Sequence, residues 1–258
     1  MSRTQSAPAA ISKLSPISAP AAISPPAAPE SPARDPLPRA QKVLAVIARP
    51  GQESADLGAL LYAFRRGGAS LALLCMTRGE ASPLNSTNER LETRRPWELL
   101  VAGAVIGISS FTVADYPDGR LTATLLAELT ELVQREIRWH APDLLLIVDP
   151  ATGPPNDAVA PSARSDEASD SGDDAVVARA VRAAARRADV PVVARAVPGV
   201  RGGRLVDLGA DPATARAVQR SATAAHASQS EALPEVERRL GLLDGRETLR
   251  RLAPASAG

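Results

Sequence analysis

"KVLAVIARPGQESADLGALLYAFRRGGASLALLCM", residues 42–76, is the stretch whose reading decides the fold. It opens on a continuous apolar, β-branched run, 42–48, as a strand buried on both faces requires. Leu57, Leu60, Leu61 and Phe64 then recur at i, i+3, i+4 and i+7, one face of a helix. The helix runs into "RRGG" (65–68), where glycine stops it. A second apolar run, 69–76, is the next strand.

Outward from this unit the alternation continues. Residues 88–107 read as mostly helical, with Pro96 marking a start or kink near the middle. Residues 111–116 form a third strand, 122–140 a strongly periodic helix and 143–150 a fourth strand. A helix over 173–188, a fifth strand over 190–197 and an edge strand over 204–209 follow, and helices over 211–228 and 233–244 close the domain. The pattern predicts an α/β fold with a mainly parallel sheet of five to six strands and helices on both faces. Residues 151–172 are polar, rich in Pro, Gly and Ser, and lack periodicity, so they read as a long loop. The echo of "NDAVA" (156–160) in "DDAVVA" (173–178) leaves the register of that loop and its helix open.

The first forty residues are Ala, Pro and Ser with little else. They cannot bury enough apolar area to offset their ordering entropy and are expected to be a disordered tail. Prolines interrupt them too often for a secretory signal. The domain is therefore expected over 41–252, with 253–258 a second disordered end.

Composition narrows the function. The chain of 258 residues is 45% hydrophobic, enough for one sizeable core. Thirty basic residues face 29 acidic ones, for a formal net charge of +1, which gives no reason to expect nucleic acid or a membrane surface as partner. Aromatics make up 2%, too few for a base-stacking surface. No apolar stretch approaches the roughly 20 residues of a membrane span. The single cysteine, Cys75, excludes a disulfide within the chain. No G-x-G-x-x-G follows the first strand, which argues against a dinucleotide site. The expected location is cytoplasmic; oligomeric state is not legible.

Four short motifs occur in order: "TRGEAS" (77–82), "RRPWEL" (94–99), "DYPDGRL" (115–121) and "AHASQ" (225–229). Together with the order of elements they resemble the LmbE-like, or PIG-L, family over about residues 42–245. The resemblance implies a Rossmann-like fold and a zinc-dependent de-N-acetylase of N-acetylglucosaminyl and related N-acyl substrates. Members usually carry His-Pro-Asp-Asp-Glu after the first strand, the histidine and second aspartate binding zinc and the first aspartate acting as base. Aligned on Pro50, this chain reads Arg49, Pro50, Gly51, Gln52, Glu53. Arg49 and Gln52 thus stand at ligand positions and Gly51 at that of the base. A third ligand comes from a His-x-Asp-His stretch, whose best match here ends in Asp173 and Asp174, with Asp174 at the ligand position.

A guanidinium cannot coordinate a cation, and catalytic zinc wants three N, O or S ligands and an open position. The resemblance therefore leads to an expectation of no zinc and no other cofactor. Arg49 is expected to sit in the pocket as a built-in cation, opposite Asp174 first and Asp173 next. The remaining candidates each carry two readings. Glu53 is a helix-start cap or a catalytic carboxylate; Asp173 and Asp174 favour a helix N-terminus or line the site. Asp118 fits an ordinary turn or the substrate pocket. Arg95 and Glu98 form an intrahelical pair or face the site. His226 is a structural hydrogen-bonding group or a pocket residue; His140 ends a helix. The expected function is a pseudoenzyme that keeps a pocket for a small anionic or sugar-like ligand. The rival is an active hydrolase of carbon–nitrogen bonds, an N-deacetylase using Glu53, Asp118, Asp173 and Asp174, for which an oxygen-only site would suit Mg²⁺ or Mn²⁺.

Overall fold

The computed structural model describes residues 35–150, 164–243 and 245–253. The expectations for residues 1–34, for most of the 151–172 loop and for 254–258 lie outside the described residues. The strands are β1 (Lys42–Ile47), β2 (Ser70–Thr77), β3 (Ser110–Tyr116), β4 (Leu144–Val148), β5 (Val192–Ala196), β6 (Gly203–Asp207) and β7 (Arg246–Leu252). The helices are α1 (Gln52–Ala55), α2 (Gly58–Arg66), α3 (Leu91–Ile106), α4 (Leu126–His140), α5 (Arg164–Ala188), α6 (Pro212–Ala224) and α7 (Leu233–Leu243).

All seven strands form one sheet in the order β3-β2-β1-β4-β5-β7-β6. β1 to β5 pair in parallel, and β7 runs antiparallel to both β5 and β6. The architecture is the expected α/β one, with a seventh strand that the sequence hides. "RETLRRL" lacks an apolar alternation because its buried Glu247 is matched by arginines rather than by hydrophobic neighbours. Three boundaries also move. α5 begins at Arg164, so the last part of the expected loop is helical. α6 stops at Ala224, and a 3-10 stretch, Ala227–Ala232, follows His226. Residues 35–40, expected in the tail, lie on the domain: Asp35 bonds the β6 backbone through Leu205 O and Asp207 N, and Leu37 and Ala40 pack on the core.

The period of two along β1 builds both layers. Val43, Ala45 and Ile47 point to one face, against Leu57, Leu60, Leu61 and Phe64 on the α2 side and Leu99, Ala102 and Ile106 of α3. Leu44, Val46 and Ala48 point to the other, against Leu129, Leu132 and Val133 of α4 and Val177, Val181 and Ala184 of α5. Because β2 and β4 lie on opposite sides of β1, the chain leaves the β1 and β4 ends in opposite directions. The resulting crevice at the carboxyl ends of these strands is where open α/β sheets place ligands.

Candidate functional site

Residues 48–53 round the end of β1 in a tight turn fixed by two side chains. Gln52 Oε1 accepts Ala48 N–H at 2.9 Å and Arg49 N–H at 3.3 Å. Glu53 Oε2 accepts Gly51 N–H at 2.7 Å, satisfying a donor that the start of α1 would otherwise leave open. Gly51 has φ +104°, outside the range that L side chains readily adopt. With backbone donors holding its oxygen, the Gln52 amide must aim its nitrogen outward, and Nε2 donates to Asp174 Oδ1 at 2.9 Å. This contact ties the β1 end to α5.

Asp173, beside it, takes Gly119 N–H on one oxygen at 2.8 Å and Leu121 N–H on the other at 2.9 Å. Burial pushes its carboxyl above the ordinary value; these two bonds and the charge of Arg49 oppose the rise, and Asp118 adds to it. Arg49 is half-buried and close enough to act on Asp173 through its charge. Asp118 joins two loops: Oδ2 accepts Ala81 N–H at 3.1 Å, and the Thr77 hydroxyl stands between Asp118 Oδ1 at 3.1 Å and Ala48 O at 2.9 Å.

Arg95 is buried and braces the same loops from beneath. Its Nη1 donates to Gly79 O and its Nη2 to Pro50 O, each at 2.6 Å. Burial pulls its pKa down, opposed by Asp118 and reinforced by Arg49. Gly79, at φ +72°, leaves room for the guanidinium: a Cβ there would lie 2.4 Å from Nη1.

Glu53, His226 and Glu98 form a second cluster. His226 Nε2 lies 2.6 Å from Glu53 Oε1, the two side chains being 3% and 0% exposed. His226 Nδ1 lies 3.9 Å from Glu98 Oε2 and has no hydrogen-bond partner among the described residues. Burial raises the Glu98 carboxyl, but Arg94 and Ser228 outweigh it and hold the group below its ordinary value. Ser228 Oγ donates to it at 2.6 Å and Ser228 N–H at 2.9 Å.

Of the residues singled out in the sequence, Arg49, Gln52, Asp118, Asp173, Asp174 and Arg95 come together around the crevice. Glu53, Glu98 and His226 form the enclosed cluster, where capping and bracing account for their contacts. The sequence does not reveal what holds α1 from its other end. Gln219 Nε2 donates to Ser54 O and Ala55 O at 3.1 Å, and Arg239 Nη1 lies 3.0 Å from Asp56 Oδ1. Behind them, Glu247 is shared between buried Arg195 and Arg216. None of these residues sits in a motif; each reaches the site only through tertiary packing.

Among the described residues, no group of three His, Cys, Asp or Glu side chains is placed to hold a metal ion. No helix among them is long and apolar enough to cross a membrane.

Residues 44–163 match the family PIG-L: GlcNAc-PI de-N-acetylase. None of the curated proteins matches the chain in sequence. Among solved structures, the A40926 pseudoaglycone deacetylase Dbv21 is similar at 19% identity and TM-score 0.60, over 84% of this chain and 99% of that one. The N,N'-diacetylchitobiose deacetylase from Pyrococcus horikoshii gives 17% and 0.60, over 83% and 84%. The 4-carboxy-2-hydroxymuconate hydratase GalB from Pseudomonas putida KT2440 gives 14% and 0.51, over 84% and 98%. At these identities the likeness speaks for the fold, which hosts more than one chemistry. Over residues 44–163 the chain is thus similar to the PIG-L, or LmbE-like, family, on the fold these structures share.

Proposed function

We propose that this chain is a catalytically degenerate member of its family, a pseudoenzyme. In this reading a hydrogen-bonded bridge takes the place of the metal, and the crevice binds a small anionic or sugar-like ligand. The observation that carries the reading is the Gln52 amide, whose oxygen is held by backbone N–H groups and whose nitrogen faces Asp174. The family is normally zinc-dependent, and the donors present here do not fit that ion. Gln52 turns an N–H toward the place where a ligand oxygen would be needed, and both Asp173 oxygens already accept backbone N–H groups. Arg49 adds a permanent positive charge beside them. Gly51 offers no carboxylate to take a proton from water. Arg49 is what recommends an anionic or polar ligand.

The rival reading, an N-deacetylase with a non-standard carboxylate site, draws on one observation. Asp173 is held above its ordinary pKa, the direction general acid–base work needs. Against it, Glu53 is fully enclosed, Asp173 spends both oxygens on loop backbone, and Asp118 accepts from Ala81 N–H and the Thr77 hydroxyl. A cytoplasmic location belongs to the pseudoenzyme reading, supported by a lone buried thiol, Cys75, that needs no oxidising compartment. The deciding assay is hydrolysis of N-acetylglucosaminyl amides by the purified chain, with Zn²⁺, Mg²⁺ or Mn²⁺ supplied in turn. No turnover above the Asp173→Asn variant is expected. Turnover lost in that variant would establish the rival.

A further inference from the structure

Helix α3 is apolar on both sides. Its inner face buries Leu91, Leu99, Ala102 and Ile106. Its outer face presents Trp97 at 63% exposure, Leu100 at 36%, and Val101 and Val105 each at 42%, with Ala104 exposed among them. These positions, i, i+3, i+4, i+7 and i+8, make a second stripe as regular as a core-facing one. No charged residue occurs from Leu99 to Ala114, in a chain that is 23% charged. A helix that only met water would carry charge on this face. The stripe lies beside the sheet's terminal strand β3, whose Phe111 packs against Gly103 of α3.

We propose that this face is a two-fold interface with a second copy of the chain. Scaled by their exposures, the four large side chains present roughly 350 Å² of apolar surface, within the range of a monomer's largest and often functional patch. Doubled across a two-fold, about 700 Å² supplies most of the apolar part of a standard interface of roughly 1,600 Å². The stripe is also self-complementary. In an antiparallel contact centred on Leu100 and Val101, bulky Trp97 of one copy covers small Ala104 and Val105 of the other. An anionic membrane fits less well, because the cations at the stripe's start are already engaged. Arg94 is bonded to Glu89 and Glu98, and Arg90 to Glu92. The interface is independent of whether the crevice is catalytic.

Sedimentation velocity on the full chain at micromolar concentrations tests it. A dimer is expected, weakened at least about 30-fold by Trp97→Ala and by Val101→Asp, as for the anchors of an interface. Trp139→Ala, which removes a side chain 83% exposed on α4, should leave it unchanged. Val101→Cys gives a second readout, because the native cysteine is buried. Mild oxidation should link that variant into dimers but not Trp139→Cys. A monomer up to about 100 μM, far above the dissociation constants of stable interfaces, would overturn the proposal. So would a dimer undiminished by Val101→Asp, or a monomer that uses Trp97 to bind phosphatidylserine vesicles.

Discussion

Gln52→Glu is the sharpest single test of the bridge. The change keeps the side-chain oxygen that accepts Ala48 and Arg49 N–H and replaces only the group facing Asp174, 2.9 Å away. It removes a hydrogen bond to a charged acceptor, worth about 1.5–3 kcal/mol. It also sets two carboxylates against each other, and they escape by sharing a proton. Taking up that proton at pH 7.5 costs at most about 4 kcal/mol, at 1.36 kcal/mol per unit above an ordinary glutamate pKa near 4.3. The expected loss is therefore roughly 2–4 kcal/mol, or about 4–16 °C in Tm for a domain of this size. The paired acid has a raised folded pKa, so the variant's stability should fall as pH rises through that value and recover on acidification. Thermal unfolding at pH 5 and pH 7.5, with and without Zn²⁺, reads all of this. A variant as stable as the parent at pH 7.5, or one raised by several degrees by zinc, would refute the bridge as drawn.

The other predictions concern the supports of the crevice. Gly79→Ala should cost about 1–3 kcal/mol, because the residue has positive φ and its Cβ would meet the Arg95 guanidinium; urea unfolding measures it, and a neutral result would show that the brace yields. The two shifted carboxylates should slope oppositely with pH. Asp173 has a raised folded pKa, so the parent should lose stability relative to Asp173→Asn as pH rises from its ordinary value of 3.8. Glu98 has a lowered one, so the parent's advantage over Glu98→Gln should be lost as pH falls below 4.5 toward the folded value. Equal slopes in urea melts between pH 3 and pH 7 would contradict both assignments.

What the sequence discloses is what local periodicity and chain order can carry. The period of two in 42–48 and the 3.6 period of Leu57 to Phe64 each survive as the two-faced β1 and the helix packed on it. The strand β7 is invisible because its burial rests on charge pairing with Arg195 and Arg216, residues far away in the chain. That these motifs gather was legible, since motifs after successive parallel strands necessarily meet at one sheet edge. Their contacts were not. Gln52 finds Asp174 across 122 residues and His226 finds Glu53 across 173, pairings that only the closed fold defines. The capping alternative for Glu53, a local geometry, could be written down from sequence and matches its bond to Gly51.

The most direct measurement is zinc per chain, by mass spectrometry, in protein expressed with zinc supplied and purified without chelator. A bridge in the metal's place predicts zinc far below one equivalent and a Tm indifferent to EDTA, because no metal binding is coupled to folding. Zinc near one equivalent per chain, with a Tm that falls on its removal, would contradict the account.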